Sequence, residues 1–434
     1  MKYLVIVGDG MADYPLEELG GKTPLQAADK PNIDELAKRG RSGMLKTVPE
    51  GYQPGSDVAN LSILGYDPDL YYPGGRGPIE AAAQGVKLNA GDLAFRANII
   101  TQDNGKIIDY SAGQITTEEA KELIKLANEK FGDRGIEFHP GISYRNLLIL
   151  RNTKFEPEDF KCFAPHDHPG KEYKNLLVQG KGSAKQMAER LNEIMVDSIN
   201  LFEKHSAKAS DKARHPTGPR TNSSQLRTVV SGRESDPQTE DRRPSRMLWI
   251  WGPGKMRRKV PTIQEKYGWN GIVITGVDLI KGLGAMAGLK IVDVPGATAY
   301  FDTNFEGKAD AALKALKTND IAYVHIEAPD EAGHEGLVDE KVKAIENIDK
   351  RVIGRILSKL DASGEEYRLG FLCDHATPIS LRTHTRDAIP FTIMGAPRDG
   401  VTKYDEESCK KGGYGLRKGP EFMDLLAGKD RKDE

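Results

Sequence analysis

Apolar positions along this chain follow two periods. Short runs rich in Val, Ile and Leu recur between stretches in which apolar residues return every third or fourth position. The first pattern is that of buried strands and the second that of amphipathic helices. Tyr3–Val7 predicts a strand, followed by a polar turn and a helix over Asn32–Arg39 with Ile33, Leu36 and Ala37 on one face. Late in the chain, Ile272–Ile274, Lys290–Val292, Ala322–Ile326 and Leu369–Leu372 predict strands. Helices are expected near Asp278–Leu289, Asp310–Lys317 and Lys341–Leu360, the last with Val342, Ile345, Ile348, Val352 and Ile356 along one side. This alternation predicts an α/β fold with a mostly parallel central sheet and helices on both faces.

The middle of the chain has another texture. Phe95–Thr101 and Asn146–Leu150 predict strands, and Glu118–Lys130 and Ala184–Phe202 helices, which together make an α+β module. From Glu203 to Arg246 the sequence is polar, rich in Arg, Ser, Thr and Pro, and without apolar periodicity. Such a stretch cannot bury enough surface to offset its ordering entropy, so a disordered insertion is expected.

Composition narrows the function. The 434 residues suggest two or three domains. With 62 Lys+Arg against 64 Asp+Glu the net charge is −2, which offers no basic footprint for nucleic acid or an anionic membrane. No apolar run approaches the roughly 20 residues that span a bilayer. The three cysteines, Cys162, Cys373 and Cys409, are far apart and form no Cys-x-x-Cys pair. They suggest neither a disulfide framework nor a thiolate metal site, and a reducing cytoplasm is expected.

Three expected strands end in similar chemistry. Tyr3–Val7 delivers Asp9, Ala322–Ile326 delivers Asp330 and His334, and Leu369–Leu372 delivers Asp374 and His375, with His384 shortly after. Ligands of open α/β sheets bind beyond the carboxyl ends of the strands. One Asp after a strand is ordinarily a turn residue or helix cap; the case rests on six such residues occurring together. Mixed Asp and His donors suit Mn²⁺ or Zn²⁺ better than Ca²⁺ or Mg²⁺, and six donors suit two ions. Ser56, in Pro54-Gly55-Ser56-Asp57, precedes an expected helix. Alone it reads as a cap; beside divalent ions a serine at a helix N-terminus reads as a phosphoryl-accepting nucleophile. Gly282-Leu-Gly284-Ala-Met-Ala-Gly288 misses the dinucleotide spacing and reads as helix packing, and Trp251–Lys255 is not a P-loop. Nothing points to a nucleotide site.

These residues carry a resemblance. Val7-Gly8-Asp9-Gly10-Met11-Ala12-Asp13, Gly21-Lys22-Thr23-Pro24-Leu25, Pro54–Asn60, Ala328-Pro329-Asp330-Glu331-Ala332-Gly333-His334 and Cys373-Asp374-His375 resemble the motifs of cofactor-independent phosphoglycerate mutases of the archaeal type, within the alkaline phosphatase superfamily. The resemblance implies a phosphatase-like domain (1–92 and 258–434) interrupted by an inserted α+β cap (93–257) that includes the polar segment 203–246. It implies two divalent ions, Mn²⁺ first, with Zn²⁺, Co²⁺ or Mg²⁺ as alternatives. Asp9, Ser56, Asp374 and His375 would hold one, and Asp330, His334 and His384 the other. Ser56 would take the phosphoryl group of 3-phosphoglycerate and return it to the 2-hydroxyl, making the enzyme an isomerase of glycolysis and gluconeogenesis. Lys281 resembles the family lysine beside the transferring phosphate. Arg96 and Arg145 would clamp carboxylate or phosphate, and Asp167 a hydroxyl. The same centre would also serve a related phosphotransferase with another small acceptor, such as a proposed homoserine kinase.

Overall fold

The computed structural model describes residues 1–214 and 245–430. It divides into two compact units, Met1–Ala90 with Met256–Glu434, and Gly91–Lys255 between them in sequence.

The discontinuous unit is built on an eight-stranded sheet. Its strand order is Lys290–Ile291, Gly271–Ile274, Ile321–Ile326, Lys2–Gly8, Tyr367–Leu372, Ile389–Met394, Gly40–Lys46, Gly415–Lys418. The first five strands run parallel, and Ile389–Met394 is antiparallel to both its neighbours. The expected α/β class with a mainly parallel sheet is therefore the class observed. The central strands are buried on both faces, as parallel strands covered by helices must be. Register is what places the site. Gly8 lies opposite Ile326 and Val7 opposite Leu372, so three neighbouring strands stop at one level and their next residues share one crevice.

The helix expected over Lys341–Leu360 is a longer path, Val338–Asn347 and Gly354–Ser363, joined by a π-helical turn at Ile348–Ile353. The wider turn keeps Ile345, Ile348, Val352, Ile353 and Ile356 all buried. It also carries Asp349, whose carboxylate accepts the Ile33 N–H and the Asn32 side-chain N–H, both at 2.7 Å, and so fastens the start of the Pro31–Lys38 helix. Lys341 on the same path is fully buried, and its Nζ is 2.7 Å from Asp13 Oδ2 and 2.8 Å from the Thr377 carbonyl. It ties together the loops that leave the Lys2–Gly8 and Tyr367–Leu372 strands.

The second unit is antiparallel. Leu93–Asp103 pairs with Lys106–Asp109, Arg145–Leu150 and Ser245–Lys255, and Ile136–Ile142 pairs with Arg145–Leu150. The helices Thr117–Phe131 and Lys185–Arg214 complete it. The polar stretch expected to be disordered from Glu203 starts differently. The second helix continues to Arg214 through a stretch in which Lys and Ala recur, residues that favour helix, and Ser245–Arg246 already belong to a strand. Residues 215–244 of that stretch lie outside the described residues.

The glycine-rich run at Gly282–Gly288 is helix packing, on the Asp278–Met286 helix. A Cβ at Gly282 would lie 2.1 Å from the Ile79 carbonyl oxygen, and one at Gly284 would lie 2.5 Å from Val273. In an open helix, Gly→Ala stabilises by about 1 kcal/mol. Here Gly282→Ala should do the reverse and cost about 1–3 kcal/mol through overpacking, read as a lower denaturation midpoint with unchanged slope.

Candidate active site

Asp9 follows the Lys2–Gly8 strand, Asp374 and His375 follow Tyr367–Leu372, and Asp330 and His334 lie one turn apart on the Ala328–Glu335 helix after Ile321–Ile326. The structure brings all of them together with His384 and Ser56. His375 Nε2 is 3.5 Å from Asp9 Oδ1, 3.4 Å from Asp374 Oδ2 and 3.1 Å from Ser56 Oγ. Asp330 Oδ2 is 3.3 Å from His334 Nε2, and its Oδ1 is 3.5 Å from His384 Nε2. The two last imidazoles face one another, Nε2 to Nε2, at 2.8 Å. The His375 and His384 rings lie 4.0 Å apart, which joins the two clusters.

Local structure fixes each group. Gly10 has φ +62°, and a Cβ there would meet Asp330 Oδ1 at 2.5 Å, so only glycine lets the chain turn this close. Asp374 is held by Asn60 Nδ2 at 2.8 Å and by its neighbour's N–H, from His375, at 2.9 Å. Asn60 in turn accepts from the Tyr323 hydroxyl and donates to the Ser56 carbonyl at 2.9 Å. Thr377 Oγ1 donates to Asp330. Ser56 is the first residue of the Ser56–Ile63 helix, Gly55 occupies the cap position, and no side-chain cap bond is made. The capping role a lone serine would suggest is therefore not the one it plays; its hydroxyl faces His375.

The donor chemistry fits divalent ions. His334, His375 and His384 turn Nδ1 to oxygen, at the Arg382 carbonyl (3.0 Å), Thr377 Oγ1 (3.2 Å) and the Pro54 carbonyl (3.4 Å), leaving Nε2 toward carboxylates. This is the wiring of ligating histidines. Asp9 Oδ1 is buried with no hydrogen-bond partner, a cost that a cation would remove.

Electrostatics agree. Burial, then the charges of Asp374 and Asp330, raise the Asp9 carboxyl well above the usual range. Burial also opposes ionisation of Asp374 and Asp330, yet His375 and His325 hold the first low, and hydrogen bonds from His334 and His384 hold the second low. His334 is pushed up to about 9, chiefly by its hydrogen bond with Asp330, whereas burial lowers His375.

Sequence reasoning missed His325. It lies inside the Ile321–Ile326 strand, wholly buried, with Nε2 3.4 Å from Asp9 Oδ2. Asp9, His325 and Asp374 form one group able to hold an ion, and Asp330, His375 and His384 another. Its only sequence signal is a histidine in an apolar strand, which reads as core. Of the remaining expected residues, Lys281 sits 2.7 Å from Asp293 and 3.9 Å from Asp278. Arg96, Arg145 and Asp167 belong to the second unit. There the Arg96 guanidinium lies 4.4 Å over the Trp251 ring and that of Arg145 lies 5.4 Å over Tyr144. Asp167, well exposed, is 3.6 Å from His166.

A pH dependence follows. Pushed up to about 9, His334 holds a proton near neutrality when no ion is bound and must lose it to ligate, and the upward shift of Asp9 acts in the same direction. Calorimetric Mn²⁺ titrations in buffers of different ionisation enthalpy should show net proton release and affinity that tightens from about pH 6 to about pH 9. Proton uptake, or a flat profile, would contradict this.

Comparison with known proteins agrees with the geometry. A family model described as 2,3-bisphosphoglycerate-independent phosphoglycerate mutase matches residues 37–208. A protein of that name from Methanosarcina acetivorans is 46% identical, covering 98% of this chain and 99% of its own length. A Geobacter sulfurreducens protein, named a probable enzyme of the same kind, is 43% identical over the same shares. Among solved structures, the PH0037 protein from Pyrococcus horikoshii is similar at a TM-score of 0.74 and 27% identity, covering 99% of this chain and 97% of that one. Cofactor-independent phosphoglycerate mutase from Thermoplasma acidophilum is similar at 0.62 and 26%, covering 99% of each chain. No helix among the described residues is long and apolar enough to cross a membrane. With such identity sustained from end to end, the chain belongs to the 2,3-bisphosphoglycerate-independent phosphoglycerate mutase family.

Proposed function

We propose that this protein interconverts 3-phosphoglycerate and 2-phosphoglycerate through a phosphoserine formed at Ser56. The observation that carries the reading is the Ser56 hydroxyl, at the first turn of a helix, 3.1 Å from His375 Nε2 and beside two clusters of Asp and His. Asp9, Ser56, Asp374 and His375 would hold one divalent ion, and Asp330, His334 and His384 a second, with Mn²⁺ the favoured metal for such mixed donors. When bound, the ions supply charge neutralisation for the phosphoryl oxygens and a lowered pKa for the serine hydroxyl.

The chain's own residues do the rest. Ser56 Oγ displaces the 3-oxygen of glycerate at phosphorus, and first-turn N–H groups of the Ser56–Ile63 helix favour the phosphate once attached. Lys281, which Asp293 and Asp278 hold in this structure, is the proposed phosphate-facing cation. Arg96 and Arg145 would grip the glycerate carboxylate, and Asp167 would orient a hydroxyl. Facing residues of an antiparallel pair share a side of the sheet. Arg96 pairs with Leu147, so the same register sets Arg145 across from Asn98, on the side of Arg96. Glycerate retained at these groups receives the phosphoryl group on its 2-oxygen. Phosphoryl transfer needs positioning and charge neutralisation more than covalent chemistry from the protein. No ATP or bisphosphoglycerate enters the balance. A homoserine-kinase reading is not favoured, since the curated relatives are named as mutases.

An enolase-coupled assay on chelator-stripped protein given Mn²⁺ and 3-phosphoglycerate, without bisphosphoglycerate, tests this. Turnover should require the metal, and Ser56→Ala should fall below about a thousandth of wild type with its fold intact. A folded, metal-loaded wild type that is inert, or an active Ser56→Ala, would overturn the reading.

A further inference from the structure

Behind Asp9 and Asp374 runs a buried polar chain that the proposed reaction does not use. Lys308, from the Phe305–Leu316 helix, is fully buried, with Nζ 2.9 Å from Glu327 Oε2 and 3.0 Å from the His325 carbonyl. Glu327 Oε1 accepts from Thr275 Oγ1 at 2.6 Å and lies 3.0 Å from His325 Nδ1. His325 Nε2 then stands between carboxylates, 3.4 Å from Asp9 Oδ2 and 3.9 Å from Asp374 Oδ2. The imidazole thus has acidic groups at both ends and is wholly buried.

Asp9 is the part of the centre this arrangement controls. Its two oxygens face different imidazoles, Oδ2 toward His325 and Oδ1 toward His375, beside which Ser56 lies. A carboxylate on a short side chain has few rotamers, and holding one oxygen fixes the direction of the other. Repulsion between Asp9 and Asp374 would otherwise turn them apart whenever no cation lies between them. Since Glu327 is matched by Lys308, His325 is oriented through Nδ1 without a second uncompensated acid behind it, and its buried Nε2 is the atom that faces the pair.

We propose that His325, oriented by Glu327 and Lys308, is a positioning residue that holds the inner edges of Asp9 and Asp374, so that their remaining oxygens are set for the ion beside Ser56. The proposal rests on the reading of Asp9 and Asp374 as ion ligands. Outer partners of this kind change metal affinity by about 10–100-fold when removed. Substrate contacts play no part in it.

The test is Mn²⁺ binding to the full, chelator-stripped chain, with no phosphoglycerate present, read from the electron paramagnetic resonance signal of the free ion. Wild type should bind two ions. His325→Leu should weaken one of them about 10–100-fold and leave the other, held at Asp330, His334 and His384, unchanged. His325→Gln, which keeps a polar amide at the same place, should recover most of the loss. Glu327→Gln should weaken the same single ion, and circular dichroism reports whether each variant is folded. If His325→Leu does not fold, Glu327→Gln decides. Two ions bound with wild-type affinity by the folded variants would overturn the proposal. So would three ions on wild type falling to two in His325→Gln, because His325 would then itself be a ligand. A failed mutase assay leaves these binding results standing, and normal binding in the variants leaves the mutase reading standing.

Discussion

Three carboxylates, Asp9, Asp330 and Asp374, are buried at the ends of three adjacent strands, and the remainder of this unit is arranged around their mutual repulsion. Ionised acids at such spacing in a low-dielectric setting are tolerated only beside positive charge. The raised Asp9 carboxyl registers the strain directly: burial and the charges of Asp374 and Asp330 push it well above the usual carboxylate range. Histidines at every edge of the group, with Nδ1 tied to oxygen and Nε2 turned inward, form a site that cations complete. Once cations are there, a hydroxyl at their margin on a helix N-terminus becomes a phosphoryl acceptor, and Ser56 is that hydroxyl.

The sheet supplies the geometry. Equal register at Gly8, Ile326 and Leu372 makes three chain ends converge without long loops, and the tight turn at Gly10 brings the first against the second. Rigidity comes from behind. Asn60 links Ser56 to Asp374, Thr377 links Asp330 to His375, and buried Lys341 pins the loops that carry Asp13 and Thr377. Each of these is a polar group placed in a core and fully matched, which is where a small change of shape is transmitted rather than absorbed.

Much of this was legible in the sequence, for a physical reason. Asp9, Asp374 and His375 stand directly after apolar strands, Asp330, His334 and His384 follow within a short stretch, and Ser56 opens a helix, all places where a polar residue breaks the pattern and is seen. His325 and Lys308 were not legible. His325 lies between Val324 and Ile326 and reads as core, Lys308 lies between Glu306 and Asp310 and reads as an ordinary surface cation, and only the three-dimensional pairing with Glu327 reveals them. The Val338–Ser363 path shows the same limit: the apolar spacing gives a helix but not the π turn at Ile348–Ile353, nor the contact its Asp349 makes with the Pro31–Lys38 helix. The polar composition after Glu203 suggested an early end to the preceding helix, and local propensity carries that helix on to Arg214. For Arg96, Arg145 and Asp167 the sequence offers residue type alone.

The most direct measurement is to trap the covalent form. Mn²⁺-loaded protein mixed with phosphoglycerate labelled in its phosphoryl group, quenched in acid within a single turnover and digested, should yield an acid-stable phosphate on the peptide containing Ser56. Label on another residue, or turnover with no phosphopeptide at any quench time, would contradict the central claim that the buried acids and their cations exist to make Ser56 a phosphoryl acceptor.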